Sequence, residues 1–285
     1  MLQEHFETIS SFDDCPIFLR IYTPQKVSGA GHSLQGVVLL VHGFCEHSGR
    51  YGHVVERICS HNMACVALDI RGHGKSGFIY DKTKDGEAMI ADVQFVLRYI
   101  QNKFGNHIPY KLLGHSLGGL LVTYVMAREQ NPNISVFLSS PCYEIKIFIA
   151  PWKKFLAREL SFPFPKFKIP TGEHGQHLST NPVNSAQYMA DPLCLKKIPL
   201  LLGYMVLSIV DEEKIKKAIE KIESPFTILA AEDDKLVCFN ATKRLSAFYK
   251  NVKFYPIKKS GHETFNEVPE FQQQAFMHLE NWLKN

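Results

Sequence analysis

The chain has 285 residues, 45% of them hydrophobic and 21% charged, and its 32 basic and 28 acidic residues give a net charge of +4. This composition supports a full hydrophobic core, so we exclude a disordered, a collagen-like and a disulfide-scaffold protein. Basic residues are spread along the chain rather than concentrated in one stripe, which argues against a nucleic-acid partner.

Short runs of branched apolar residues alternate with longer segments of helical period. This pattern is typical of a mostly parallel β-sheet flanked by helices, an α/β fold. Eight strands are predicted near residues 6–9, 17–22, 37–41, 64–68, 110–113, 134–138, 226–230 and 252–255. The clearest helices are predicted over residues 85–103 and 270–283, where apolar side chains recur along one stripe.

The regular alternation stops after Ser139 and resumes at Phe226. The stretch between them has little strand signal and is rich in Pro, Phe, Lys and Leu. Because unstructured loops of this length are rare in compact domains, we expect a small helical subdomain, a lid, over residues 143–223. Residues 1–142 and 224–285 then form the core domain.

The first part of this predicted lid is basic and aromatic. Residues 145–168 have six basic side chains against one acidic side chain, with aromatic residues and leucines between them at helical spacing: Lys146, Lys153, Lys154, Arg158, Lys166 and Lys168, with Phe148, Trp152, Phe155, Leu156 and Leu160. A basic amphipathic helix with aromatic residues is suited to docking on an anionic bilayer. The alternative is that this face packs on the core around a substrate tunnel. The apolar residues 200–210 could line such a tunnel and do not decide between the two.

The cysteines and the N-terminal residues indicate a soluble, cytoplasmic protein. The seven cysteines include no C-x-x-C pair and no zinc-type spacing, which favours free thiols in a reducing compartment. Residues 1–10 contain Glu4 and Glu7 and no apolar segment after a basic start, so no secretory signal is predicted. The longest nearly apolar run, residues 198–210, contains a proline and is shorter than the roughly 20 residues of a membrane-spanning helix.

A G-x-S-x-G motif lies between a predicted strand that ends at Leu113 and a helix that begins at Leu117. A serine in such a sharp strand-to-helix turn projects its hydroxyl above the sheet, and small residues two before and two after it let the backbone fold tightly. We therefore predict that Ser116 is a nucleophile.

A serine nucleophile needs a histidine base and an acid that orients the base, and in this architecture they follow in the order nucleophile, acid, histidine. After Phe226 the chain has only His262 and His278, and His278 lies within the last predicted helix. His262 lies in a loop after a strand, which suits a base. The acid is expected where the strand near residues 226–230 ends, and local chemistry leaves the choice between Asp233 and Asp234 open.

The oxyanion of a tetrahedral intermediate needs two preorganised N–H donors. We expect them to be the backbone N–H of Leu117 and the backbone N–H of Phe44, in the loop after the third strand. His42 and His47 flank Glu46 without the H-E-x-x-H order of a zinc helix, so no metal is predicted. The chemistry requires no cofactor.

Several motifs resemble those of the monoacylglycerol lipase and lysophospholipase branch of the α/β-hydrolase superfamily, and the resemblance covers nearly the whole chain. They are His42-Gly43-Phe44-Cys45-Glu46-His47-Ser48-Gly49-Arg50-Tyr51, Asp69-Ile70-Arg71-Gly72-His73-Gly74-Lys75-Ser76, Gly114-His115-Ser116-Leu117-Gly118-Gly119, Leu178-Ser179 and Tyr188-Met189-Ala190-Asp191-Pro192-Leu193. The resemblance implies an α/β-hydrolase fold. Its acid loop, G-x-x-D-x-L, falls on residues 231–236 and points to Asp234.

The resemblance also implies roles for three polar residues. Glu46, Arg50 and Tyr188 would line the end of the pocket that holds the alcohol part of the substrate. The alternative for Glu46 and Arg50 is an ion pair that braces their loop. The chain departs from the family at Phe265, where the lipases have a second histidine, and at Val237, where they have a cysteine that is displaced here to position 238.

These expectations define a lid-bearing serine hydrolase. It would cleave single-chain acyl esters, monoacylglycerols or lysophospholipids, through an acyl-enzyme. One alternative keeps the triad but gives it a carboxylester, thioester or peptide-like substrate that is not a lipid. A second alternative, a binding module without catalysis, requires a missing triad member, and the sequence supplies a candidate for all three.

Overall fold

The computed structural model describes residues 2–25, 34–81, 85–146, 149–172 and 175–285, except the side chains of Lys153 and Leu156. Phe148 also lies outside the described residues. The strands are β1 (Leu2–Ser10), β2 (Pro16–Pro24), β3 (Gly36–Val41), β4 (Met63–Leu68), β5 (Tyr110–His115), β6 (Ser135–Ser139), β7 (Lys168–Pro170), β8 (Lys197–Pro199), β9 (Phe226–Ala231) and β10 (Val252–Ile257). The helices are α1 (Gly52–Ser60), α2 (Glu87–Phe104), α3 (Leu117–Glu129), α4 (Pro151–Glu159), α5 (Pro182–Ala190), α6 (Leu200–Ile209), α7 (Glu212–Ile219), α8 (Phe239–Ser246) and α9 (Pro269–Lys284).

Eight strands form one sheet in the order β1-β2-β4-β3-β5-β6-β9-β10. β2 pairs antiparallel with β1 and β4, and every other neighbouring pair in the sheet is parallel. Each of these strands overlaps one predicted from the sequence. The predicted α/β class with a mostly parallel sheet is therefore confirmed.

Helices cover both faces of this sheet. Successive side chains of a strand point to opposite faces, so Val37 and Leu39 of β3 pack in the core cluster shared with α2 and α3. Val38 and Leu40 pack on the other face, in the cluster shared with α1 and α9. Because both faces are buried, the central strands are continuous apolar runs rather than alternating ones.

The segment between β6 and β9 is not entirely helical. Its described residues contain α4 to α7, but β7 and β8 also pair antiparallel, with Ile169 opposite Ile198. The expectation of a helical insertion missed this pair because each strand is a Lys-Ile-Pro tripeptide, too short to alternate and ending in a residue that strands disfavour. Helix α6 is buried and joins the core cluster of α2 and α3 through side chains such as Leu202 and Met205.

The predicted basic amphipathic stretch forms a shorter helix than its residue spacing suggests. Helix α4 ends at Glu159, so Lys166 and Lys168 lie beyond its C-terminus.

In the ranges that the structure describes, none of the helices combines the length and the hydrophobicity needed to cross a bilayer.

The carboxyl ends of the parallel strands meet at one edge of the sheet. The loop after β3 carries residues 42–47, and Ser116 follows β5 directly. The loops after β9 and β10 carry Asp234 and His262. In open α/β sheets ligands bind in the crevice at this edge, so the fold brings all these candidates to one place.

Candidate active site

Ser116 lies at the junction of β5 and α3 in a strained backbone conformation. Its φ of 50° and ψ of −116° place a non-glycine residue at positive φ. Hydrogen bonds hold the turn: the Ser116 N–H donates to the Ser139 carbonyl (3.0 Å), and the Ser116 carbonyl accepts from the N–H of Cys142 (2.9 Å). Backbone strain of this kind is concentrated at functional sites, where the surrounding structure enforces it.

Glycine is required on both sides of this turn because the backbone passes close to other backbone atoms. A Cβ on Gly114 would lie 2.7 Å from the Gly118 carbonyl oxygen. A Cβ on Gly118 would overlap the carbonyl oxygens of Val41 and His42 at the end of β3. The G-x-S-x-G spacing is therefore a packing requirement of the turn.

We expect Gly118→Ala to destabilise the protein by about 3 kcal/mol or more, since the added methyl meets backbone that cannot move aside. The matched control is Gly52→Ala, because a Cβ at Gly52 has no neighbour within 4 Å and its φ is −50°. Urea unfolding of both variants measures the difference. Equal stability of the two variants would contradict the close approach at Gly118.

The structure brings Asp234, not Asp233, to the histidine. His262 Nδ1 lies 2.6 Å from Asp234 Oδ2, and both side chains are buried, whereas Asp233 is exposed. The other carboxylate oxygen, Asp234 Oδ1, accepts the N–H groups of Leu236 (2.8 Å) and Val237 (2.9 Å). These donors hold the carboxylate in one orientation.

Burial and pairing act against each other on the pKa values of this pair. Burial disfavours the charge of Asp234, but His262 and the two N–H donors outweigh it and hold the pKa of Asp234 below its ordinary value. Burial also disfavours the charged imidazole, but the Asp234 carboxylate outweighs it and raises the pKa of His262 above 6.5. The neighbouring imidazole of His115 is neutral, because burial lowers its pKa to about 4.

Two backbone N–H groups beside Ser116 are available for a ligand. Neither the N–H of Phe44 nor that of Leu117 donates a hydrogen bond within the described part of the chain. Both residues line the same cavity as Ser116 and His262. Unpaired donors next to a nucleophile match the requirement of an oxyanion hole.

A buried network of charged groups lies beside His262. Arg50 Nη1 donates to Glu46 Oε2 (2.7 Å) and to Glu263 Oε1 (2.5 Å), and Arg50 Nη2 donates to Glu263 Oε2 (2.8 Å) and to Asn184 Oδ1 (2.8 Å). Glu46 also accepts the Gly43 N–H and the Tyr51 hydroxyl, both at 2.6 Å. Arg50 is thus held from several sides, and it does not line the cavity.

The predicted polar residues therefore occupy different places. Glu46 and Tyr188 line the cavity, whereas Arg50 lies behind Glu46 with its guanidinium 5.2 Å from the centre of the Tyr188 ring. The sequence reasoning missed Glu263 and Asn184, since neither belongs to a motif. The one sequence signal that could have identified Glu263 is its position directly after His262, the predicted base.

The lining of the cavity has a small polar part and a larger apolar part. Its polar part is formed by Glu46, Glu263 and the catalytic candidates. Its apolar part is formed mostly by side chains between β6 and β9, among them Ile145, Ile149, Ala157, Ile169, Leu178, Ile198, Val206 and Leu207. An amphiphilic molecule with one long apolar chain fits this division.

The two departures from the lipase pattern have different surroundings. Phe265 packs against Phe137 and Phe276 in the cluster of α1 and α9, away from the cavity. Val237 lines the cavity, whereas Cys238 does not. An apolar residue thus stands where the resemblance implied a cysteine.

One group of possible metal ligands lies next to the site. In the described chain His47, Asp191 and Cys194 bring their ligand atoms within 4.8 Å of one another. His47 Nε2 is already hydrogen-bonded to Asp191 Oδ2 at 2.8 Å, and burial raises the pKa of the Cys194 thiol to about 12. The hydrogen bond between His47 and Asp191 therefore links the loop after β3 to the segment after α5.

Comparison with known proteins is consistent with this geometry. The serine aminopeptidase S33 family, Hydrolase_4, matches residues 32–269. A monoacylglycerol lipase of Mycolicibacterium smegmatis is 27% identical over 254 residues, which cover 87% of this chain and 88% of the relative. The human monoglyceride lipase is 25% identical over 280 residues, covering 94% and 86% of the two chains.

Solved structures show the same architecture. The crystal structure of the Paleococcus ferrophilus monoacylglycerol lipase superposes with a TM-score of 0.77 at 26% identity, covering 99% of this chain and 98% of the other. A soluble variant of the monoglyceride lipase from Saccharomyces cerevisiae, in complex with a substrate analog, superposes with a TM-score of 0.81 at 17% identity, covering 100% and 94%. At that identity the second likeness concerns the fold alone.

Proposed function

Because the chain belongs to the serine aminopeptidase S33 family and has the α/β-hydrolase fold, we propose that it hydrolyses single-chain acyl esters, monoacylglycerols or lysophospholipids, through an acyl-enzyme. The observation that carries this proposal is the cavity, whose mostly apolar lining also includes Ser116, His262, Phe44 and Leu117. The monoacylglycerol lipases among its relatives support the same substrate class.

In the proposed mechanism Ser116 Oγ attacks the ester carbonyl while His262 Nε2 accepts the hydroxyl proton. Asp234 holds the proton of His262 on Nδ1, and the N–H groups of Phe44 and Leu117 bind the oxyanion. His262 then protonates the leaving alcohol. In the second half of the reaction His262, oriented by Asp234, accepts a proton from water, and the water attacks the acyl-enzyme and releases the fatty acid. In the described chain Ser116 Oγ has no hydrogen-bond partner. The proposed mechanism requires its contact with His262 to form in the substrate complex, where catalytic hydrogen bonds often tighten.

A direct test is the release of oleate from monooleoylglycerol and from oleoyl-lysophosphatidylcholine. We expect the native protein to release oleate from at least one of them. Release from neither would refute the lipid assignment. The comparisons do not favour the alternative substrate, a non-lipid ester, a thioester or a peptide. Failure to release oleate from both lipids would make that alternative the leading hypothesis.

We also propose that residues 143–223 act as a lid over the core formed by residues 1–142 and 224–285. Much of the apolar lining of the cavity comes from this segment, including Ile169, Ile198 and Val206. Substrate would then reach Ser116 past side chains that belong to the lid.

We also propose a cytoplasmic location, since the seven cysteines are free thiols.

The outer surface of the lid supports docking on an anionic membrane. Trp152, Phe155 and Phe164 are 54%, 61% and 59% exposed, and Phe162 and Phe167 are exposed next to them. Exposed basic residues accompany them, namely Lys154, Arg158, Lys166 and Lys168. Aromatic side chains that enter the lipid interface and cations that meet its phosphates are the two requirements of such a surface.

We expect the double variant Phe155→Ser/Phe164→Ser to bind phosphatidylserine-containing vesicles about tenfold more weakly than the native protein, because it loses two apolar contacts with the interface. Vesicle co-sedimentation measures this. Met277→Ser is the control, since Met277 on α9 is similarly exposed, at 51%. Unchanged binding of the double variant would refute docking through this surface.

A further inference from the structure

A buried carboxylate that the proposed mechanism does not use lies between the loop of His262 and helix α9. We call residues 260–263 the His262 loop. The side chain of Glu267 is 1% exposed, and in the described part of the chain it has no lysine or arginine partner. Burying such a charge is costly unless hydrogen-bond donors satisfy it. Four donors surround this carboxylate.

The four donors come from three separate segments of the chain. Glu267 Oε1 accepts the N–H of Gly261 (2.6 Å) and the N–H of Thr180 (3.0 Å). Glu267 Oε2 accepts the Thr180 hydroxyl (2.6 Å) and the N–H of Val268 (3.1 Å), the N-cap residue of α9. One carboxylate thus joins the His262 loop, the lid and the N-terminus of α9, where the helix dipole favours a negative charge.

The backbone is held on both sides of His262. On one side the N–H of Gly261 donates to Glu267. On the other side the N–H of Glu263 donates to the carbonyl of Leu178, a lid residue (2.7 Å). The His262 loop lies within the described chain and belongs to no helix or strand there, so contacts of this kind fix its position.

The packing around Gly261 leaves no room for a side chain. A Cβ at this position would lie 2.8 Å from Glu267 Oε1 and 3.1 Å from the Cα of Ser179. The Leu178-Ser179 motif of the sequence therefore packs directly against the His262 loop. This contact gives the motif a position beside the base, in addition to the contribution of Leu178 to the cavity lining.

The chemistry of His262 requires an accurate position. Its Nδ1 lies 2.6 Å from Asp234 Oδ2, and its Nε2 has to reach Ser116 Oγ in the substrate complex. A misplacement of about 1 Å can lower the rate about a hundredfold. Glu267 does not line the cavity, so any effect on catalysis acts through the His262 loop.

We infer that Glu267 is a positioning residue, which holds His262 in place for catalysis by joining the His262 loop to lid residues 178–180. This inference rests on the proposed function, because it takes His262 as the base. It also gives the lid a second role, since residues 178–180 support the base as well as covering the core.

The experiment measures the rate constant for covalent labelling of Ser116 by a soluble fluorophosphonate, per folded molecule. Glu267→Met has a side chain of similar length without an acceptor, and we expect it to lower this rate constant about a hundredfold. Glu267→Gln should recover most of the loss, because its amide oxygen can still accept the N–H groups of Gly261 and Thr180. With monooleoylglycerol as the substrate, Glu267→Met should lower kcat and change KM by less than about twofold, since the interaction does not involve the substrate.

The matched control is Asp92→Asn. Asp92 is also 1% exposed, and it binds the buried guanidinium of Arg71 rather than the His262 loop. This variant should lower the free energy of unfolding and leave the labelling rate constant unchanged. If Glu267→Met does not fold, Glu267→Asp tests the same contact, because a side chain one methylene shorter cannot bond to Gly261 and Val268 together. We expect it to lower the rate constant about tenfold.

Three results would count against the inference. A folded Glu267→Met or Glu267→Asp protein that is labelled at the native rate would overturn it, while labelling of the native protein would still support the proposed function. Equal losses in these variants and in Asp92→Asn would also overturn it, because the effect would then follow stability rather than position. If the native protein is not labelled at all, the proposed function and the inference both fail.

Discussion

Replacing Ser116 with alanine is expected to reduce oleate release from monooleoylglycerol by at least about 10⁴-fold, because it removes the attacking oxygen. The turn itself should survive, since alanine adopts a φ near 50° at a cost similar to that for serine, and the flanking glycines remain. Covalent labelling by a fluorophosphonate should disappear in the same variant. The measurements are fatty-acid release and labelling, each alongside an unfolding curve.

The chain offers a closely matched control in Ser140. This serine is also buried, its φ is 44°, and its hydroxyl has no hydrogen-bond partner among the described residues. It does not line the cavity. Ser140→Ala should therefore keep native activity and labelling. Loss of both in this variant, or their persistence in the Ser116 variant, would contradict the assignment of the nucleophile.

The second large effect is expected for Asp234→Asn, which should lower kcat by about 10⁴-fold while leaving the fold intact. Two backbone N–H groups donate to Asp234 Oδ1, so an asparagine would place its oxygen there and direct its NH₂ group at His262 Nδ1. The imidazole would then have its proton on Nε2, the nitrogen that must accept the proton of Ser116. The wrong tautomer cannot act as the base.

The same variant should change the pH dependence. Catalysis needs neutral His262, so kcat/KM of the native protein should fall as the pH is lowered through the pKa of His262, which Asp234 raises above 6.5. Without the carboxylate, burial lowers that pKa, so the acid limb of the Asp234→Asn profile should move to lower pH. Asp233→Asn is the control, because Asp233 is exposed and does not contact His262. A native acid limb well below pH 6 would contradict the pairing.

The sequence alone determined the architecture and the order of the candidate catalytic residues. Strands that are buried on both faces form continuous apolar runs, and the helices between them show stripes at a local spacing. Because both signals can be recognised in short segments, all eight strands of the sheet could be predicted. The turn at Ser116 was recognisable because the G-x-S-x-G motif lies within five consecutive residues, between a strand and a helix, although Gly118 is required by contacts with the distant carbonyls of Val41 and His42. Such signals need only neighbouring residues.

Only the tertiary structure decided the features that depend on distant residues. Local chemistry leaves Asp233 and Asp234 equivalent, and only the resemblance to the lipases pointed to Asp234; the contact itself depends on the distant loop after β10, which brings His262 to that carboxylate. Arg50 interacts with Glu263, a residue 213 positions away, which no local pattern could indicate. The pairing of β7 with β8 likewise joins two tripeptides that have no strand pattern of their own. The charge of the network around Arg50 is likewise a property of long-range contacts, because it depends on which buried carboxylates share its guanidinium.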